Sequence, residues 1–263
     1  MRRHWKAFLA AAIVVAAVVG AVLVLGTRPG QPAPEPAATV AGGGKLGFPV
    51  SRVKIGSGGS GVAADGKTPI GYDGSCNSAA SAAANYMPAI VDFHPSAWVV
   101  QQKALAQIDV NADELATKTT LADLEAENLK ASGIRTFDGD WVTRADVESG
   151  GLYRLVSCTE HRSALVQVLY ARIDAQTAED SKASFVTQSV DLAWQGGDWK
   201  VIRSQAPLGD NGTLGGRLPD RGPNLAALPA PDGKPPLLTM DLADQAFQAV
   251  SREGWIEYAN ALR

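Results

Sequence analysis

From Ala7 to Thr27 the chain carries no ionisable side chain, and alanine, valine, leucine and isoleucine fill most positions. At 1.5 Å rise per residue, a helix over this run reaches about 31 Å, the thickness of a bilayer's hydrocarbon core. Secretory signals have apolar cores of about 7–15 residues, followed by a small-x-small cleavage site. This run is longer, and Leu25-Gly26-Thr27-Arg28-Pro29 is a poor cleavage site. The expected element is an uncleaved signal anchor, with a cleaved signal as the alternative. Arg2, Arg3 and Lys6 precede the run, and Arg28 alone follows it closely. The positive-inside rule then keeps the N-terminus cytoplasmic and sends the remainder across a cell membrane, as a single-pass protein with an extracytoplasmic C-terminal domain.

That topology changes how the composition reads. The 263 residues hold 24 Lys and Arg against 27 Asp and Glu, a net charge of −3. Arg2, Arg3, Lys6 and Arg28 belong to the anchor and its flank. The remaining 20 basic residues face 27 acidic ones, so the ectodomain carries −7. A domain of that sign does not seek nucleic acid or anionic lipid by its overall field. With 46% hydrophobic residues, wholesale disorder is excluded. Outside the cytoplasm, thiols persist as disulfides. Cys76 and Cys158 are the only pair available, and bridging them would contribute about 4 kcal/mol in the chain-entropy model. Two buried free thiols are the alternative.

Four stretches follow one another: a cytoplasmic tip and anchor over 1–28, a Pro/Gly-rich linker over 29–68, a folded domain over 69–205, and a Pro/Gly-rich loop with a terminal helix over 206–263. Order is expected to be weak up to Ser75, with an edge strand at most over Val50 to Ile55. Ser75 or Cys76 opens an alanine-rich helix that His94-Pro95 breaks. Ser96 caps a second helix containing Trp98, Val99, Leu105 and Ile108. Asn111-Ala112-Asp113-Glu114 resembles a capping box for a third, which Gly133 stops. Strands are expected around Trp141, from Leu152 to Glu160, from Ala164 to Asp174 and from Phe185 to Trp194. Gln195-Gly196-Gly197-Asp198 then turns a hairpin into Trp199-Lys200-Val201-Ile202. Helices first and an antiparallel sheet second define an α+β chain. Leu238 to Leu262 reads as an amphipathic helix interrupted at Gly254. Phe247, Trp255, Ile256 and Tyr258 are too apolar to float free, so they dock on the sheet or form a partner surface.

Chemical motifs are weak. Gly56-Ser57-Gly58-Gly59-Ser60-Gly61 matches G-x-G-x-x-G, but no helix-forming sequence follows it. Ser51-Arg52-Val53-Lys54 matches S-x-x-K without its partner motifs. Asp138, Asp140 and Asp146 lack the glycine and glutamate of a calcium loop. Cys158 and His161 fall on opposite faces of a strand. No metal, cofactor or catalytic residue is assigned on these grounds.

Three helices ahead of a sheet that ends in Trp194-Gln195-Gly196-Gly197-Asp198-Trp199-Lys200-Val201 resemble the nuclear-transport-factor-two-like, or cystatin-like, α+β roll over about Pro69 to Ser204. The resemblance implies three helices packed on a curved antiparallel sheet. Gly71-Tyr72, Ala84-Asn85-Tyr86 and Gly254-Trp255-Ile256-Glu257-Tyr258 are also similar to an uncharacterised, membrane-anchored family of high-GC Gram-positive bacteria, whose members accompany conjugative elements. It implies a non-enzymatic scaffold that binds proteins in a conjugation or secretion apparatus; homo-oligomers stay open. The alternative is a roll whose open end binds a small ligand or acts as an isomerase, with Tyr86, Asp92, Tyr170 and Asp191 as candidate pocket residues. A pocket filled by Trp98, Trp141 and Trp194 would favour the scaffold. An open cavity with a buried Asp would favour the ligand-binding roll.

Overall fold

A capped alanine helix lying on two very long strands organises the molecule. The computed structural model describes residues 40–92, 94, 97–110, 142–175, 181–205 and 222–261, all within one compact unit, Pro34–Arg263. In chain order these form β1 (Val40–Gly43), β2 (Pro49–Val50), β3 (Gly61–Val62), β4 (Pro69–Ile70), α1 (Cys76–Val91), α2 (Trp98–Ile108), β5 (Val142–Asp146) and the single turn α3 (Val147–Gly150). Then come β6 (Leu152–Thr159), β7 (Ser163–Ala175), β8 (Lys182–Gln195), β9 (Asp198–Gln205), β10 (Leu225–Pro229), α4 (Met240–Ala246) and β11 (Trp255–Glu257). The fold is mixed α+β, with a large sheet and few helices. The expected anchor over 7–27 and the expected third helix over 111–133 lie outside the described residues. Among those described, no helix is long and apolar enough to cross a membrane.

Nine strands make the main sheet among the described residues, in the order β1-β2-β11-β6-β7-β8-β10, with β5 also on β7 and β9 also on β8. All these pairings are antiparallel except β2 with β11. β7 and β8 are long enough to take two partners each along one edge. The β8–β9 turn places Gly196 and Gly197 at φ 61° and 78°, which glycine enters without steric cost.

Strand alternation builds two cores on opposite faces of this sheet. Tyr153, Val166, Val168, Tyr170, Val190 and Leu192 face α1. The six alanines of α1 leave little bulk between helix and sheet, so the backbones approach closely. Ser75 caps α1 by accepting the Ser78 N–H at 3.1 Å. Cys76 is disulfide-bonded to Cys158 of β6 across a sequence separation of 82. Asp198 adds a second tie: its carboxylate accepts the N–H groups of Gly71, Tyr72 and Trp199 at 2.9, 3.0 and 2.9 Å. On the other face, Leu152, Leu169, Ala171 and Phe185 meet Leu46, Phe48, Leu238, Ala243, Phe247 and Trp255.

That second face corrects two expectations. The tail is not one helix from Leu238 to Leu262. Thr239 caps the short α4, Gly254 at φ 76° turns the chain, and Trp255–Glu257 enters the sheet between β2 and β6. A run apolar at successive positions suits a strand covered on both sides. The stretch read as linker and weakly ordered segment also carries anchors, for Leu46, Phe48 and Val53 are buried. Glu257 accepts the Leu46 N–H at 3.0 Å, and its carbonyl accepts both the N–H and the hydroxyl of Ser51. Asn260 exchanges two hydrogen bonds with the backbone of Ile55.

Candidate ligand cleft

A cleft opens where the C-terminal half of α1 meets β5, α2 and the loop before β4. It has two lobes of about 290 and 300 Å³. Lys67, Pro88 and Arg144 wall both lobes and so mark the waist between them. Ala89, Val100 and Val142 line the first lobe together with Asp92. Asn85, Asp146 and Glu148 line the second.

Each wall has a local cause. Pro88 sits inside α1, and the helix ends at Val91 with Asp92 in extended conformation. The Asp92 carboxylate accepts the Ala145 N–H at 2.7 Å, which ties the helix end to β5. The Gln101 amide of α2 donates to the carbonyls of Ala89 and Asp92 and holds the second helix there. Lys67 leaves a turn that Asp65 organises by accepting the N–H groups of Lys67 and Thr68 and the Thr68 hydroxyl. Burial works against the Asp65 charge, yet these bonds hold its carboxyl below the usual range. Arg144 donates to the Gly233 carbonyl at 2.7 Å.

Burial dominates at Asp92. It pushes the carboxyl up to about 6, against the lowering effects of the Ala145 N–H, Lys67 and Arg144. Both cations are therefore in electrostatic reach of Asp92. Among the described residues neither forms an ion pair with it.

No family model, curated protein or solved structure matches this chain.

Of the four candidate pocket residues, only Asp92 lines the cleft. Tyr170 is buried behind it, where burial raises its hydroxyl to about 12 and Asp92 adds to the effect. Tyr86 is a core residue whose hydroxyl donates to the Trp199 carbonyl at 2.9 Å. Asp191 is paired with Arg203 at 3.6 Å on the β8–β9 ribbon. The candidate partner surface is internal. Phe247, Trp255, Ile256 and Tyr258 are all at most 5% exposed. Phe247 packs on Phe48 and Trp255, and the Tyr258 hydroxyl donates to the Ala80 carbonyl at 3.1 Å. These four residues bind their own sheet because both of its faces need cover.

The weaker motifs are accounted for locally. Gly56 donates its N–H to Asn85, and the glycine stretch leads into β3 rather than a helix. Asp146 caps α3 through Ser149. Cys158 is bridged, so it holds no thiol. Trp194 lies against Trp199 and His161, away from the cleft, while Trp141 and the Trp98 side chain lie outside the described residues. Sequence reasoning missed Lys67, Arg144 and Gln101, which are isolated polar residues in three distant segments with no shared spacing.

Proposed function

We propose that this chain is a membrane-tethered, extracytoplasmic roll of the nuclear-transport-factor-two-like type that binds other proteins in an envelope assembly for conjugation or secretion. The Cys76–Cys158 disulfide supports this reading most, because such a bridge persists in an oxidising compartment. It joins with the apolar run over residues 7–27 and the positive charges before it. The long β7–β8 ribbon under α1 and the β8–β9 hairpin are consistent with a roll. The test pairs a reporter fused after Arg263 with crosslinking and capture from membranes. The reporter should be active only outside the cytoplasm, and capture should repeatedly recover membrane subunits of a conjugation or secretion machine. A cytoplasmic reporter, or repeated recovery of this chain alone, overturns the reading.

A second reading, a roll that binds a small ligand or acts as an isomerase, is favoured by one observation. The cleft is open, mostly apolar, and carries a half-buried carboxylate beside two exposed cations, a make-up that suits a ligand site.

A further inference from the structure

Three charged side chains face the first lobe without closing on one another, two of them at the waist. Asp92 enters from the end of α1, Arg144 from β5 and Lys67 from the loop before β4. The other acids of the two lobes are mostly committed. Asp65 holds its own turn, and Asp146 holds Ser149. Glu148 lines only the second lobe. The Asp92 carboxylate keeps acceptor capacity beyond the single Ala145 N–H, and Arg144 keeps donors beyond the one given to Gly233. A simple anion meets Asp92 as a like charge, and a simple cation meets Lys67 and Arg144. A molecule carrying both signs satisfies all three.

We propose that the first lobe binds a small apolar zwitterion of the α-amino-acid kind, with its ammonium on Asp92, its carboxylate between Lys67 and Arg144, and its side chain against Pro88, Ala89, Val100 and Val142. This rests on the ligand-binding reading and names its ligand class. The lobe volume of about 290 Å³ sits at the low end for ligand sites and suits a molecule of this size. Paired charges of both signs in a half-open cleft select by complementarity more than by raw affinity. Burial holds Asp92 partly protonated near neutral pH, and an incoming ammonium reverses that.

The experiment uses the full chain in detergent and three probes of one shape: leucine, 4-methylpentanoate, which lacks the amine, and 3-methylbutylamine, which lacks the carboxylate. Binding is read by calorimetry and by NMR shifts of the Val100 and Val142 methyls. Leucine is expected to bind at least 10-fold tighter than either half-analogue. Asp92→Asn should weaken leucine at least 10-fold and leave 4-methylpentanoate unchanged or tighter. Arg144→Gln should weaken leucine and 4-methylpentanoate together. Thermal melting checks that both variants fold. If 4-methylpentanoate binds as well as leucine, or Asp92→Asn leaves leucine unaffected, the zwitterion assignment falls while a ligand site stands. If none of the three probes shifts the methyls, both the assignment and the ligand-binding reading fall.

Discussion

The two faces of the sheet are built by opposite means. The α1 face is covered by one continuous helix, fixed covalently through Cys76, while Asp198 holds the loop just ahead of it through the N–H groups of Gly71 and Tyr72. The other face is covered by pieces from the two ends of the described chain, namely Leu46 and Phe48, then Leu238 to Trp255. The helical face relies on small residues and close approach. The patchwork face relies on large ones, with Phe247 packed at once on Phe48 and Trp255 and with Arg252 over two of the rings. The cleft opens at an edge of the helical face, where α1 ends and polar side chains finish the packing. A regular element thus leaves a defined gap where it stops, whereas assembled fragments close their gaps with aromatic bulk.

The largest expected effect breaks the patchwork face. Trp255→Ala removes a fully buried ring and should cost about 3–5 kcal/mol in urea unfolding. A loss under about 1 kcal/mol would mean that the tail lies free, and would return its aromatic residues to service as a partner surface. The helical face is tested next. Cys76→Ser with Cys158→Ser should cost about 2–4 kcal/mol, and reducing agent should bring the parent to the same level. A double variant as stable as the parent would show that α1 needs no covalent tie.

The smallest effect belongs to the cleft. Below about pH 4, Asp92 is protonated in both folded and unfolded chains. Through pH 4 to 6 the unfolded chain ionises first, because burial raises the folded carboxyl to about 6. Wild type should therefore lose stability relative to Asp92→Asn across that window, by on the order of 1 kcal/mol. Thermal melts at pH 4 and 7 measure the difference. An equal gap at both values would mean that Asp92 is solvated and the cleft is wet.

The helical face was largely legible in the chain. Ser75, the alanines after it and the break near His94-Pro95 locate α1, and the Gly196-Gly197 turn locates β8 and β9. Strands β6 and β7 stand within a residue of the expected Leu152–Glu160 and Ala164–Asp174. The patchwork face was not legible. Trp255-Ile256 followed by Tyr258 has no period that separates strand from helix, and its strand partners lie about one hundred and about two hundred residues away. Leu46 and Phe48 are single apolar residues among glycines, too sparse to announce a core. The cleft was half legible. Asp92 stands out at a helix end, whereas Lys67 and Arg144 acquire meaning only once a loop and a strand meet.

The place of β11 has a consequence for the order of assembly. It lies between β2 and β6, and Val50 pairs with Glu257. During synthesis β1 and β2 therefore emerge with no neighbour in the sheet but each other, and wait for a strand some two hundred residues later. The ribbon of β6 to β9 and α1 can form while translation continues, but β1 and β2 join only when Trp255 to Glu257 arrives. A chain cut short of Trp255 lacks the β11 bridge, so the β1–β2 end of its sheet is detached from β6 and Leu152 loses the Trp255 ring from its cover. Folding of this sheet is thereby tied to the emergence of Trp255 to Glu257, some two hundred residues after β2.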